Sequence, residues 1–299
     1  MRTLFMALGC MISTLATSQQ FSEKINKEFT FEKKSADNAV MVANINGNIK
    51  VTGYEGDKVI LEVNRQIFGK TEARLEKGKQ ELQLGVLDRA DTLIFYVIQG
   101  CNQFGQRPTG DKNKNGWYKN GWGYNWDCKE RDCQPQYDYK LDFTLKVPAG
   151  IHVAVSTVND GDIIVENVKG TVDADNINGS IKLTNLVREA DASTINGDVD
   201  IEYTTNPSKA CRFYTLNGDI NAVFQKGLAA SLSFESFNGS FYTSIDNLTK
   251  LPAQIVKSSK GEGIKYKLTG NRYQVGTGGT AYLDFETFNG NVYLKEKVN

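Results

Sequence analysis

The sequence predicts an all-β chain, organised as a parallel β-solenoid with about 18–21 residues per coil. A turn phrase recurs as Ile45-Asn-Gly47, Ile177-Asn-Gly179, Ile195-Asn-Gly197, Leu216-Asn-Gly218, Phe237-Asn-Gly239 and Phe288-Asn-Gly290, with Val158-Asn-Asp-Gly161 as a copy one residue longer. The turn glycines at 161, 179, 197, 218 and 239 are 18, 18, 21 and 21 residues apart. Around each turn, Val, Ile, Leu and Phe alternate with polar residues at period two, the pattern of strands with one buried face. A unit this short cannot bury that face alone, so neighbouring units must stack.

Counted from the turn glycine, position −7 holds Val40, Val172, Ala190, Cys211, Leu232 and Leu283, and position −5 holds Val42, Ala174, Ala192, Phe213, Phe234 and Phe285. Position −2 holds Ile45, Ile177, Ile195, Leu216, Phe237 and Phe288. Positions +2 and +4 pair Ile49 with Val51, Ile163 with Val165, Ile181 with Leu183, Val199 with Ile201, Ile220 with Ala222, and Val292 with Leu294. These apolar columns are expected inside, each buried side chain contributing roughly 1.5–3 kcal/mol. The asparagine before each glycine should form a ladder. The core should widen from Ala174 and Ala192 to Phe213 and Phe234, toward the C-terminus. Cys211 falls in an inward column and reads as a small core thiol.

The alternative is an antiparallel β-sandwich or meander, because Asn-Gly between alternating strands is also a strong hairpin signal. A two-residue hairpin would set Ile177 beside Ser180 and Ile195 beside Asp198, mixing core with solvent at every turn. A corner in a coiling chain carries no such pairing rule, and glycine there tolerates a positive φ.

The chain opens with a secretory signal over residues 1–18: Arg2, an apolar run from Leu4 to Ala16, and small residues in Ala16-Thr-Ser18, with cleavage expected before Gln19. Residues 19–299 then form a single domain. Glu28 to Lys33 reads as a short capping strand, and Val40 to Val63 as the first coil. Thr71 to Leu82 reads as a short external helix capped by Thr71, followed by strands at Leu84 to Val86 and Thr92 to Val97. An inserted loop occupies about 100–137. Tyr139 to Val147 resumes the alternation, and Pro148-Ala-Gly150 turns into the repeat block. After Phe241 comes an excursion with strands at Ile264 to Leu268 and Arg272 to Val275, as an extra degenerate coil or as a hairpin. Tyr282 to Leu294 forms the last coil.

Thirty-five basic and 35 acidic residues cancel, which argues against a nucleic-acid surface. No stretch of the sequence has the roughly 20 apolar residues of a membrane-crossing helix. Cys101, Cys128, Cys133 and Cys211 follow the signal, in a compartment where disulfides persist. One bridge among Cys101, Cys128 and Cys133, or two bridges using all four, both fit.

The phrases Asn44-Ile-Asn-Gly-Asn-Ile-Lys-Val-Thr-Gly-Tyr-Glu-Gly-Asp-Lys-Val and Ser156-Thr-Val-Asn-Asp-Gly-Asp-Ile-Ile-Val-Glu-Asn-Val-Lys-Gly resemble the bacterial putative-adhesin family of exported repeated β-strand domains. The resemblance covers roughly residues 30–299 apart from the loop. It implies surface attachment and carries over no catalytic residues.

The loop is what the repeat does not explain. Trp117, Tyr118, Trp122, Tyr124 and Trp126 crowd into it beside three cysteines, and such aromatics either stack on a ligand or form a small core of their own. Asp111, Asn113 and Asn115 have the alternate spacing of a calcium loop, but Trp122 stands where a bidentate Glu belongs. Asp160, Asp162, Asp175, Asp198 and Asp219 recur with the repeat and read as solvated turn residues. His152 is the single histidine, which leaves no His-rich zinc site and no Ser-His-Asp triad.

The sequence therefore describes a non-enzymatic exported protein, periplasmic, outer-surface or secreted, that binds a glycan or a surface protein or supports the envelope, without a cofactor. The alternatives are a carbohydrate-active β-helix lyase or hydrolase and a periplasmic scaffold.

Overall fold

A computed structural model describes residues 19–100, 103–106, 116–119, 121–125, 135–260, 263–269, 271–277 and 279–297. The expected signal segment, 1–18, lies outside the described residues.

The chain is all-β with one described helix. It begins with β1 (Gln19–Phe29), β2 (Ala39–Ala43), β3 (Ile49–Tyr54), β4 (Val59–Gly69), α1 (Glu72–Glu81), β5 (Gln83–Asp88) and β6 (Thr92–Ile98). The insertion supplies β7 (Gln103–Gln106), β8 (Gly116–Lys119) and β9 (Trp122–Asn125), and the chain returns through β10 (Asp138–Pro148). Repeats follow as strand pairs: β11 (His152–Ser156) with β12 (Ile163–Glu166), β13 (Val172–Asp175) with β14 (Ile181–Leu186), β15 (Ala190–Asn196) with β16 (Val199–Tyr203), β17 (Cys211–Asn217) with β18 (Ile220–Phe224), and β19 (Ala230–Asn238) with β20 (Phe241–Thr243). After β21 (Leu248–Lys250), β22 (Gln254–Lys260), β23 (Gly263–Thr269) and β24 (Arg272–Val275), the last repeat is β25 (Ala281–Asn289) with β26 (Val292–Glu296).

The first strand of every repeat joins an eleven-stranded sheet and the second a ten-stranded sheet. Within each, repeats pair in parallel and in register, as in Val172 with Ala190, Ala192 with Phe213, Ile181 with Val199 and Val199 with Ile220. One apolar core lies between the sheets. The expected layering of two facing sheets in a sandwich is compatible with this arrangement.

The expectation of purely parallel sheets is corrected at both ends. β1 and β10 flank β4 antiparallel, β5 runs antiparallel to β6, and β24 pairs antiparallel with both β19 and β21. A parallel stack exposes unpaired backbone at each end, and reversed strands cover part of it. The capping strand also begins earlier than Glu28, because all of β1 pairs along β4 from Gln19–Gly69 to Phe29–Val59. The excursion resolves as a hairpin, β22 with β23, rather than as an extra coil.

The repeats do not stack in chain order. β25 lies between β17 and β19, and β26 between β18 and β20. Cys211 therefore faces Leu283 rather than Leu232, the neighbour expected from the sequence. The widening core survives this change: Ala174, Ala192, Phe213, Phe285 and Phe234 succeed one another in space, with Phe213 and Phe285 ring centroids 5.3 Å apart.

The helix forms where the sequence placed it. Thr71 accepts the Arg74 N–H at 3.4 Å, and Leu75 and Gly78 are buried. Gly78 leaves room for Ile67 of β4 and for Tyr137. At the turns, a side-chain carbon on Gly218 would collide with the Gly197 carbonyl of the adjacent repeat. Close approach of neighbouring repeats, as much as backbone torsion, thus requires glycine there.

Candidate functional site

Each corner between the two sheets is built from four successive positions. At −3 stand Asn44, Asn176, Thr194, Thr215, Thr287 and Ser236, with Thr157 equivalent at −4 of the longer copy, all buried except the half-buried Ser236. Their side chains donate to turn-glycine carbonyls: Thr157 to Gly47 at 2.9 Å, Thr194 to Gly179 at 2.9 Å, Thr215 to Gly197 at 2.8 Å and Thr287 to Gly218 at 3.2 Å. A buried hydroxyl is tolerated because its hydrogen bond is made.

This polar column overturns the inward assignment of position −2. Strand alternation carries −7, −5 and −3 inward, so −2 points out. Ile195 is 38% exposed, Phe288 44% and Phe237 75%; only Ile45, at the other end of the stack, is buried. Phe237 and Phe288 lie face to face, centroids 4.8 Å apart and planes within 2°.

The asparagine ladder is present and continuous. Asn159 donates to Asn46, Asn178 to Asn159, Asn196 to Asn178, Asn217 to Asn196, Asn289 to Asn217 and Asn238 to Asn289, at 2.8–3.2 Å. Next to it, Asp162, Asp198 and Asp219 accept the backbone N–H of Ser180, Asp219 and Asn291 at 2.8, 2.8 and 2.7 Å. These carboxylates tie repeat to repeat. Asp160 occupies the left-handed turn of the longer copy, at φ 53°, and Asp175 lies in β13.

At the far end of the stack the corner becomes aromatic on both sides. On one side Tyr214, Leu216, Phe237 and Phe288 line a shallow depression of ≈ 250 Å³ with Glu235 and Glu286. The Arg212 guanidinium sits 5.8 Å from the Tyr214 ring and 3.4 Å from the Glu286 carboxylate. On the other, Tyr242 and Tyr293 stack with centroids 5.1 Å apart, and Lys295 Nζ lies 5.9 Å from the Tyr293 ring. The sequence contained a signal for this surface: strict period-two counting from −5 already places −2 outside.

The inserted loop forms a three-stranded antiparallel sheet in the order β7-β9-β8. Tyr124 is 2% exposed; its hydroxyl accepts the Val97 N–H at 2.7 Å and donates to the Ala43 carbonyl at 2.8 Å. Removal from water drives its phenol pKa up. Trp122 is half-buried, 6.0 Å from Phe104, with the Arg89 guanidinium 4.7 Å over its ring, and Phe104 stacks on Tyr96 at 4.5 Å. Trp117 and Tyr118 belong to β8, opposite Tyr124 and Gly123 of β9. Trp126, Cys101, Cys128, Cys133, Asp111, Asn113 and Asn115 lie outside the described residues.

Cys211 is a buried free thiol, 3.4 Å from the Tyr203 hydroxyl, and burial raises its pKa. His152 Nδ1 accepts the Thr171 N–H at 3.1 Å and lies 2.6 Å from the Thr171 hydroxyl. Among the described residues, no group of three His, Cys, Asp or Glu side chains could hold a metal ion, and no helix is long and apolar enough to cross a membrane.

No family model matches the chain, and no curated protein matches it. Among solved structures, a putative cell adhesion protein from Clostridium sporogenes is 9% identical, with a TM-score of 0.37 over 94% of this chain and all of the other. A putative adhesin from Bacteroides fragilis is 13% identical, at 0.36 over 92% of this chain and 97% of the other. A putative lipid-binding protein from Parabacteroides distasonis is 10% identical, at 0.25 over the same shares. Likeness at this level assigns no function, so the functional reading rests on the chain's own surface.

Proposed function

We propose that this chain is a β-solenoid that acts, after export and loss of residues 1–18, as a non-enzymatic binding or structural module of a cell envelope or surface. The aromatic end of the corner is its ligand-facing surface. The observation that carries this reading is the stacked, exposed pair Phe237 and Phe288. Two parallel rings held in water contribute little to the core, while they offer a flat apolar platform of the kind that packs against a ligand. Glu235 and Glu286 beside them supply acceptors, and the asparagine ladder supplies amides. Apolar faces edged by hydrogen-bonding groups suit a glycan, whose ring carbons stack while its hydroxyls bond.

The insertion fits the same reading as a second contact element. Tyr124 anchors it to the domain, Trp122 lies half-buried on it, and Trp117, Tyr118 and Trp126 are the proposed ligand contacts. A disulfide among Cys101, Cys128 and Cys133 is proposed to fasten it. The recurring aspartates support this reading over a lyase or hydrolase, because Asp162, Asp198 and Asp219 are engaged with backbone N–H groups and do not converge as an acid–base pair.

The test is binding of the purified protein to a panel of polysaccharides, with release of reducing ends measured in the same wells. Retention without cleavage is the expected result; cleavage would favour the enzymatic alternative. Crosslinking in cells, with capture of a protein in place of any glycan, would favour a periplasmic scaffold.

A further inference from the structure

The chain contains eight Asn-Gly pairs: six at the repeat turns, at 46, 178, 196, 217, 238 and 289, and two in the inserted loop, at 115 and 120, where both asparagines lie outside the described residues. Asparagine before glycine is the dipeptide in which the following backbone nitrogen most readily attacks the side-chain amide, because glycine has no side chain to block the approach. Attack requires the glycine N–H to be released and the asparagine amide to rotate toward it.

Five of the six turn pairs are locked against both movements. Gly47 donates to the Asn159 carbonyl at 2.9 Å, Gly179 to Asn196 at 2.8 Å, Gly197 to Asn217 at 3.0 Å, Gly218 to Asn289 at 3.0 Å and Gly290 to Asn238 at 3.1 Å. The side chains of Asn178, Asn196, Asn217 and Asn289 each donate to one ladder neighbour and accept from the other. Asn46, at the opposite end, accepts from Asn159 and is protected by the Gly47 bond.

Asn238 differs because its repeat ends the stack. Its amide donates to Asn289 Oδ1 at 2.9 Å and accepts no ladder bond, and the Gly239 N–H has no partner among the described residues. Phe237, Asn238, Gly239 and Ser240 are all exposed.

We propose that Asn238-Gly239 is a modification site, at which succinimide formation converts Asn238 to aspartate or isoaspartate while the other five turn pairs are preserved. Hydroxide removes the Gly239 amide proton, and the nitrogen bonds to Asn238 Cγ. The Cγ–Nδ2 bond breaks, and the amide leaves as ammonia after taking a proton from water. Water then opens the ring at either carbonyl, so one water is consumed and one ammonia released, with no change of oxidation state. The product loses the Nδ2–H that bonds Asn289, and a carboxylate oxygen replaces it against the Asn289 carbonyl. A new negative charge then stands beside Phe237 and Glu235, on the proposed binding surface.

The six turn pairs fall in six different tryptic peptides, so each can be followed separately. The full chain is incubated in mildly alkaline buffer, natively and in denaturant, and each peptide is assayed for amide-to-acid conversion and for the isoaspartyl isomer. An interior pair must break two more hydrogen bonds than Asn238, which makes native Asn238 conversion about 30-fold faster. In denaturant the six rates should converge. Equal native rates among the six turn pairs, or a native lead for any other turn pair, would overturn the proposal.

Discussion

Asn289 donates its side-chain amide to Asn217, 72 positions away in sequence, at 2.8 Å, and Asn238, nearer to Asn217 in the chain, stacks beyond it. The last repeat therefore occupies the slot between the fifth and sixth. The chain reaches it after leaving the stack through β21 to β24, and β24 covers part of the β19 edge on the way.

Cysteine crosslinking reads this order directly. Adjacent in-register strands place Cα atoms about 4.8 Å apart, inside the roughly 4.4–6.8 Å window of a disulfide, whereas two steps give about 9.6 Å. The pair Asn217→Cys with Asn289→Cys should oxidise to a bridge found by non-reducing peptide mapping. The pair Asn217→Cys with Asn238→Cys should not, and a bridge there would restore stacking in chain order.

Tyr124 connects the insertion to the domain through one hydroxyl. Tyr124→Phe removes the partner of the Val97 N–H and of the Ala43 carbonyl, and an unsatisfied buried group costs about 1–3 kcal/mol. The denaturation midpoint should fall accordingly, and proteolysis within residues 100–137 should accelerate. An unchanged midpoint would mean that the hydroxyl contributes nothing to the docking.

The sequence made the asparagine ladder, the Phe213 and Phe234 column, the Thr71 cap and the buried Cys211 legible, because each follows from spacing alone. Position −2 was misread because its residues are apolar, and composition outweighed parity; Thr194 and Thr215 at −3 carried the correct signal. Repeat order was not legible, since Leu283 and Phe285 match Leu232 and Phe234 in size and pair equally well in a parallel register. The role of Tyr124 was hidden for a different reason: its partners, Ala43 and Val97, are backbone groups far away in sequence.

Alkaline stability follows from burial. The Cys211 thiol and the Tyr203 and Tyr124 phenols have folded pKa values raised by desolvation. Each stays protonated in the folded chain while its unfolded counterpart ionises, so the unfolded state sheds protons first and stability falls as pH rises. The decline should begin near the ordinary thiol value of 9.0 and steepen past the phenol value of 10.0. Thermal midpoints across this range test it, and Cys211→Ala should soften the first part of the decline. A flat profile would contradict the burial of these groups.

The most direct test of the functional reading compares the native chain with the Phe237→Ala/Phe288→Ala double variant on the polysaccharide panel. Both side chains are exposed, so the denaturation midpoint should move by no more than about 0.5 kcal/mol per site. The account expects native retention on at least one polysaccharide class and a loss of affinity of about tenfold or more in the variant, as when aromatic anchors are removed from a contact surface. Equal retention of the two proteins would contradict it.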